Sequence, residues 1–102
     1  KDYYRAIPDH SQAIKLNSNN DLYYLHRGDC NLALKKYFSA LKDYKSSLGI
    51  KNSEEVVSKI NSLKQDFRNP AFLIKNYKDI LEDLDYILID KVKNRLSMYQ
   101  NI

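Results

Sequence analysis

KYFSALKDYKSSL (residues 36–48) nearly repeats DYYRAIPDHSQAI (residues 2–14). Tyr3 and Tyr37, Ala6 and Ala40, Ile7 and Leu41, Asp9 and Asp43, His10 and Tyr44, Ile14 and Leu48, and Leu16 and Ile50 all stand 34 residues apart. A fixed period of that size marks stacked helical repeats, in which one unit cannot hide its apolar face alone. In the first copy Tyr3, Ala6, Ile7, His10, Ala13 and Ile14 follow helical spacing, which predicts a helix over 2–16 with Asp2 as its cap. Pro8 lacks a backbone donor, so it is expected to kink this helix or to move its start to about Ile7.

Outward from the echo, the NSNN run at 17–20 is turn chemistry. A second helix starts at Asp21 and carries Leu22, Tyr24, Leu25, Gly28, Leu32 and Leu34, with Gly28 and Cys30 small enough to admit a close neighbour. Lys35-Lys36 is a short turn, and a helix over 37–48 follows with Gly49 in the C-cap position. A third pattern opens with Ser53 as cap and continues through Val56, Val57, Ile60, Leu63 and Phe67. Asn69-Pro70 ends it, and Pro70 suits the first turn of the next helix. Beyond it Leu73, Tyr77, Ile80, Leu81, Leu84, Leu88, Val92, Leu96 and Tyr99 form one stripe, on one long helix or on two with a break near Asp90. That stripe is wider than a coiled-coil seam, so it must meet the repeat, a partner or a second copy.

The stretch YLHRGDCNLALKKYFSALKDYKSSLGIKN (24–52) resembles the tetratricopeptide repeat, a 34-residue helix-turn-helix unit. Tyr24 stands at the first large aromatic of that family, Gly28 at the small residue of helix A, and Leu34 before the turn. Tyr37 opens helix B, Ala40 is its central Ala and Tyr44 its later aromatic. Arg27, Asn31, Ser47 and Asn52 depart from the pattern, where the family has Leu, an aromatic, Ala and Pro. The resemblance implies an all-α fold of antiparallel helix-turn-helix repeats, an α-solenoid fragment ending in a long C-terminal helix or helix pair. Residues 1–52 supply helix B of one repeat and then a full repeat over 21–52. Residues 53–69 form a third-repeat-like or capping helix, and 70–102 an amphipathic C-terminal segment.

In this family helix A lines a concave peptide groove, which implies that Leu22, Leu25, His26, Asp29, Leu32 and Ala33 face a bound peptide. The co-chaperone branch clamps the acidic C-terminal tail of a chaperone with Lys, Arg and Asn. His26-Arg27 sits where such clamps commonly read Asn-Arg, which adds Arg27 to the expected groove. Asp29 opposes a carboxylate there unless a cation such as Lys59 or Lys64 neutralises it. On the stripe, Tyr77, Leu81, Leu84, Leu88 and Val92 are the expected partner interface, toward another subunit or a second copy of the chain.

Bulk properties narrow the field. The chain has 102 residues, room for one domain or a piece of one. It starts at Lys1 inside a pattern, without an initiator Met or a signal-peptide profile, so it is expected to be a fragment of something longer. Net charge is +4, but the 17 basic residues are scattered among 13 acids, which does not make a nucleic-acid footprint. No apolar run is long enough for a membrane span. Cys30 is the one Cys, which excludes an internal disulfide and fits a reducing, cytoplasmic or nuclear setting.

No glycine-rich phosphate loop, nucleophile elbow or metal-ligand spacing appears, so no enzyme, metal or cofactor is expected. His10 matches an aromatic position of the repeat and reads as a packed side chain, and His26 as a groove or surface residue. Glu82, Asp83, Asp85 and Asp90 read as a solvated helix face. The expected function is a non-enzymatic protein–protein interaction module, a scaffold or adaptor of the co-chaperone kind. The alternative is an assembly domain that oligomerises or docks through its C-terminal helix.

Overall fold

The computed structural model describes residues 2–100, with side chains described as far as Arg95. Five helices follow one another: α1 (Tyr3–Leu16), α2 (Asp21–Ala33), α3 (Tyr37–Ile50), α4 (Glu54–Asp66) and α5 (Pro70–Gln100), with no strand among the described residues. The all-α architecture is the one the repeat pattern predicts. α2 and α4 begin 33 residues apart, as do α3 and α5.

Local chemistry sets the helix ends. α1 begins at Tyr3 and not at Ile7, because Asp2 Oδ1 accepts from Arg5 N at 3.2 Å. Pro8 lies inside α1 at an exposed position and removes only the bond that the Tyr4 carbonyl would have received. Asn20 caps α2 through Leu22 N at 3.0 Å. At the other end Lys35 takes a left-handed φ of 61°. Its N–H reaches the Leu32 carbonyl at 3.0 Å, and the Lys36 N–H reaches that of Asn31 at 2.8 Å. That pair of bonds is the Schellman ending, built here without the usual glycine.

Gly49 does not end α3, as the sequence suggested. The helix runs on to Ile50, with Lys51 as its C-cap and no glycine at positive φ. α5 starts at Pro70, with Asn69 Oδ1 accepting from Ala71 N, and continues unbroken past Asp90.

The core lies between α2, α3 and α4 and is built from Leu25, Tyr37, Ala40, Tyr44, Val56, Ile60 and Leu63. Gly28 lets α2 rest directly on α3. A Cβ there would meet Tyr44 Cε1 at 2.7 Å and Tyr44 Cδ1 at 2.9 Å. At the junction of α3, α4 and α5 the rings of Tyr37, Phe38, Phe67 and Phe72 cluster, with Phe38 stacked on Phe67 at 4.7 Å between centroids.

Polar side chains fasten the remaining joints. The Asp43 carboxylate accepts from Arg27 Nε at 2.9 Å, from Arg27 Nη2 at 2.6 Å and from Asn31 Nδ2 at 2.9 Å. Arg27 Nη1 donates to Ser11 Oγ at 3.0 Å, so one carboxylate links α1, α2 and α3. The hydrogen bonds to Asp43 raise the Arg27 pKa further, against the opposing cost of its burial. Breaking a buried pair of this kind leaves an uncompensated charge, at a cost of about 3–5 kcal/mol.

Asp83 corrects the sequence reading of a solvated acid face. It is 2% exposed and caps the start of α3 from a distance. Its Oδ2 accepts from Phe38 N and Ser39 N at 2.8 and 2.9 Å, and its Oδ1 from Ser39 Oγ at 2.6 Å. Lys36, the local N-cap residue, makes no side-chain cap bond, so α5 supplies the missing acceptor.

Gly49 sits at negative φ with nothing within 4 Å of the place a Cβ would take. Gly49→Ala should therefore stabilise the fold by about 0.5–1 kcal/mol, read as a higher urea midpoint at unchanged slope.

Candidate peptide-binding groove

Helical rotation sorts the expected groove residues before any contact is considered. Successive residues turn by about 100°, so Leu22, His26, Asp29 and Ala33 share one face of α2, while Arg27 and Asn31 lie on the opposite one. In the structure Leu22, His26 and Ala33 are exposed, and Asp29 and Leu32 are half-buried. Leu25 is only 7% exposed and belongs to the core. Arg27 points to the α1 and α3 side, where Asp43 holds it, so His26 and Arg27 do not work together on one surface.

Asp29 is the centre of this face. Its Oδ1 accepts from Tyr44 Oη at 2.6 Å and from Lys59 Nζ at 3.1 Å, joining α2 to α3 below and to α4 beside it. Lys59 is thus the cation that neutralises Asp29, and its Nζ also lies 5.8 Å from the Tyr44 ring centroid. Lys64 is exposed in the last turn of α4 and makes no contact with Asp29. The ion pair is partly open to water, so its value is orientation more than energy.

Two open depressions flank the pair. One, of about 370 Å³, lies between α1 and α2 and is lined by Asp2, Tyr3, His10, His26 and Asp29. Its His10 and His26 rings stand 5.7 Å apart at 56°, so His10 is a half-buried wall residue of the depression. The other, of about 300 Å³, lies between α2 and α4 and is lined by Leu32, Lys59, Leu63 and Asp66. Apolar floors with polar rims suit an extended peptide better than a small metabolite. Cys30 is buried beside the first depression. Among the described residues no group of His, Cys, Asp and Glu is arranged to hold a metal ion, and no helix is long and apolar enough to cross a membrane.

The expected partner interface lies elsewhere. Tyr77, Leu81, Leu88 and Val92 are exposed on α5 and Leu84 is half-buried. The side chains of Leu96 and Tyr99, which extend the same stripe, fall outside the described residues. Sequence reasoning missed Asp43, Asn76 and Asp83. For Asp83 a signal existed, since Lys35-Lys36 offers α3 no capping side chain.

A helix pair closed over a glycine, repeated at near-constant spacing and presenting a half-apolar face, fits the tetratricopeptide type of helical repeat. It is similar to the small glutamine-rich tetratricopeptide repeat-containing protein 2 of Saccharomyces cerevisiae, at 32% identity over 83 residues, 80% of this chain. The chain spans 24% of that protein's length. No family model matches the chain, and no solved structure does.

Tyr44 offers a test of the Asp29 geometry. Burial first, and then donation to Asp29, push its hydroxyl far above the ordinary phenol range. The fold therefore favours the neutral phenol. That contribution is intact below the unfolded pKa of 10.0 and is lost as pH rises beyond it. Tyr44→Phe should cost about 1–2 kcal/mol at neutral pH. Its urea midpoint should also fall less steeply than that of the parent chain on titration above about pH 10.

Proposed function

We propose that the α2 face, between α1 and α4, binds an extended peptide segment of a partner protein, and that this segment is uncharged or basic. Charge carries the reading. Asp2, Asp29 and Asp66 line the two depressions against the one lining ammonium, Lys59, with Arg5 3.7 Å from Asp2, so carboxylates outnumber cations there three to two. Lys59 is already engaged by Asp29, and Arg27 by Asp43, which leaves little to grip a pair of carboxylates. The co-chaperone reading, capture of an acidic chaperone tail, is correspondingly disfavoured. The chain then acts as an adaptor, with apolar contacts from Leu22, Leu32 and Ala33 and selection by charge at the rim.

Two labelled peptides of equal length and apolar pattern separate these ligands, one carrying lysines and one ending in consecutive acids. The lysine peptide should bind more tightly by fluorescence anisotropy, and Asp66→Lys should weaken it about fivefold. Tighter binding of the acidic peptide, weakened by His26→Ala, would instead establish the chaperone-tail reading.

A second reading, assembly through α5, is favoured by a separate observation. The helix docks on α3 by a face that includes Asn76 and Asp83, and leaves its leucines outside.

A further inference from the structure

α5 is amphipathic in the unexpected sense. Phe72, Asn76, Ile80, Asp83 and Ile87 form its inner face, where Tyr37 Oη donates to Asn76 Oδ1 at 3.1 Å and Asp83 caps α3. Nearly opposite run Ile74, Tyr77, Leu81, Leu84, Leu88 and Val92, of which only Leu84 is half-covered. Their spacing of three, four, three, four and four residues is close to that of a coiled-coil seam. A continuous apolar strip of this length is more than a lone domain ordinarily leaves to water.

We propose that this strip pairs with the same strip of a second copy of the chain, with the two α5 helices antiparallel about a twofold axis between Glu82 and Asp83. This inference rests on the assembly reading of α5 and adds the partner and its orientation. The charges beside the seam decide both. Along one edge stand Lys78 and Asp85, seven residues and two turns apart. The other edge is Ile80 and Ile87, half-buried against α3.

Aligning Leu81 with Leu84 of a second copy sets Tyr77 against Leu88 and closes the seam on apolar groups from Tyr77 to Leu88. In that register Lys78 falls within two residues, about 3 Å along the axis, of Asp85 of the second copy. The twofold axis makes the contact twice. Parallel pairing puts the two charged edges on opposite sides of the seam and forms neither ion pair. The edge is therefore self-complementary in one orientation only, as a closed twofold interface requires.

Sedimentation equilibrium of the chain tests this, with variants confined to solvent-facing positions. The parent should sediment at twice 12.0 kDa at about 100 µM, and Leu81→Glu with Leu88→Glu should sediment at 12.0 kDa with unchanged helicity. Lys78→Glu and Asp85→Lys alone should each weaken pairing about tenfold, and the double exchange should restore it. A parent that stays monomeric overturns the pairing, and with it the self-assembly form of the α5 reading, while docking of α5 on a different subunit is a separate question. A dimer lost with the leucines, but in which the double exchange is no better than the single changes, overturns the antiparallel arrangement alone.

Discussion

The close approach of α2 to α3 at Gly28 is the constraint on which the remaining structure depends. Tyr44 is fully buried directly beneath that glycine. Its ring fills the space a side chain on α2 would need, and its hydroxyl emerges beside Asp29. Asp29 in turn orients Lys59, so the packing of one helix pair fixes a carboxylate and an amine on the surface of the next. The face proposed to bind peptide is thus held by the core through a chain of three side chains.

Apolar packing alone does not complete the fold, because little of the apolar surface of α5 points inward. Two carboxylates make up the difference. Asp43 gathers Arg27 and Asn31 from α2 and, through Arg27, Ser11 from α1. Asp83 carries α5 onto the bare start of α3. Both sites satisfy their lone pairs with several donors, the condition under which a buried charge is tolerable. Such bonds are directional in a way that leucine contacts are not, and they leave the outer face of α5 apolar.

The five helices and their order are legible in the sequence, since the 34-residue echo, the NSNN turn and Asn69-Pro70 are local signals. Gly49 misled because a glycine near a helix end reads as a stop, whereas here the chain keeps helical φ through it. The polar joints were less visible. Arg27 and Asn31 look like isolated departures from the repeat until Asp43 is seen to answer both at once. Asp83 stands among four acids that look alike in sequence, and its burial follows from the rotation of α5, which no local pattern records. The same rotation exposes Leu81 and Leu88. At the groove, the family resemblance named Leu22, Leu25, His26, Asp29, Leu32 and Ala33, of which Leu25 packs in the core, while Arg27, next to His26 in sequence, is held by Asp43 on the other side of α2.

If the helix pair is organised by the Gly28–Tyr44 approach, adding a single methyl group there is the most direct test. Ala has the higher helix propensity, worth about 1 kcal/mol in a helix that is free to accept it. Against this, a Cβ at 2.7 Å from a buried ring forces α2 and α3 apart, a cost of typically about 1–3 kcal/mol and occasionally more. Urea unfolding of Gly28→Ala should show a net loss of stability, with the Lys59 side-chain resonances losing their dependence on Tyr44. A stability equal to or above that of the parent chain, with the Lys59 environment unchanged, would contradict the account.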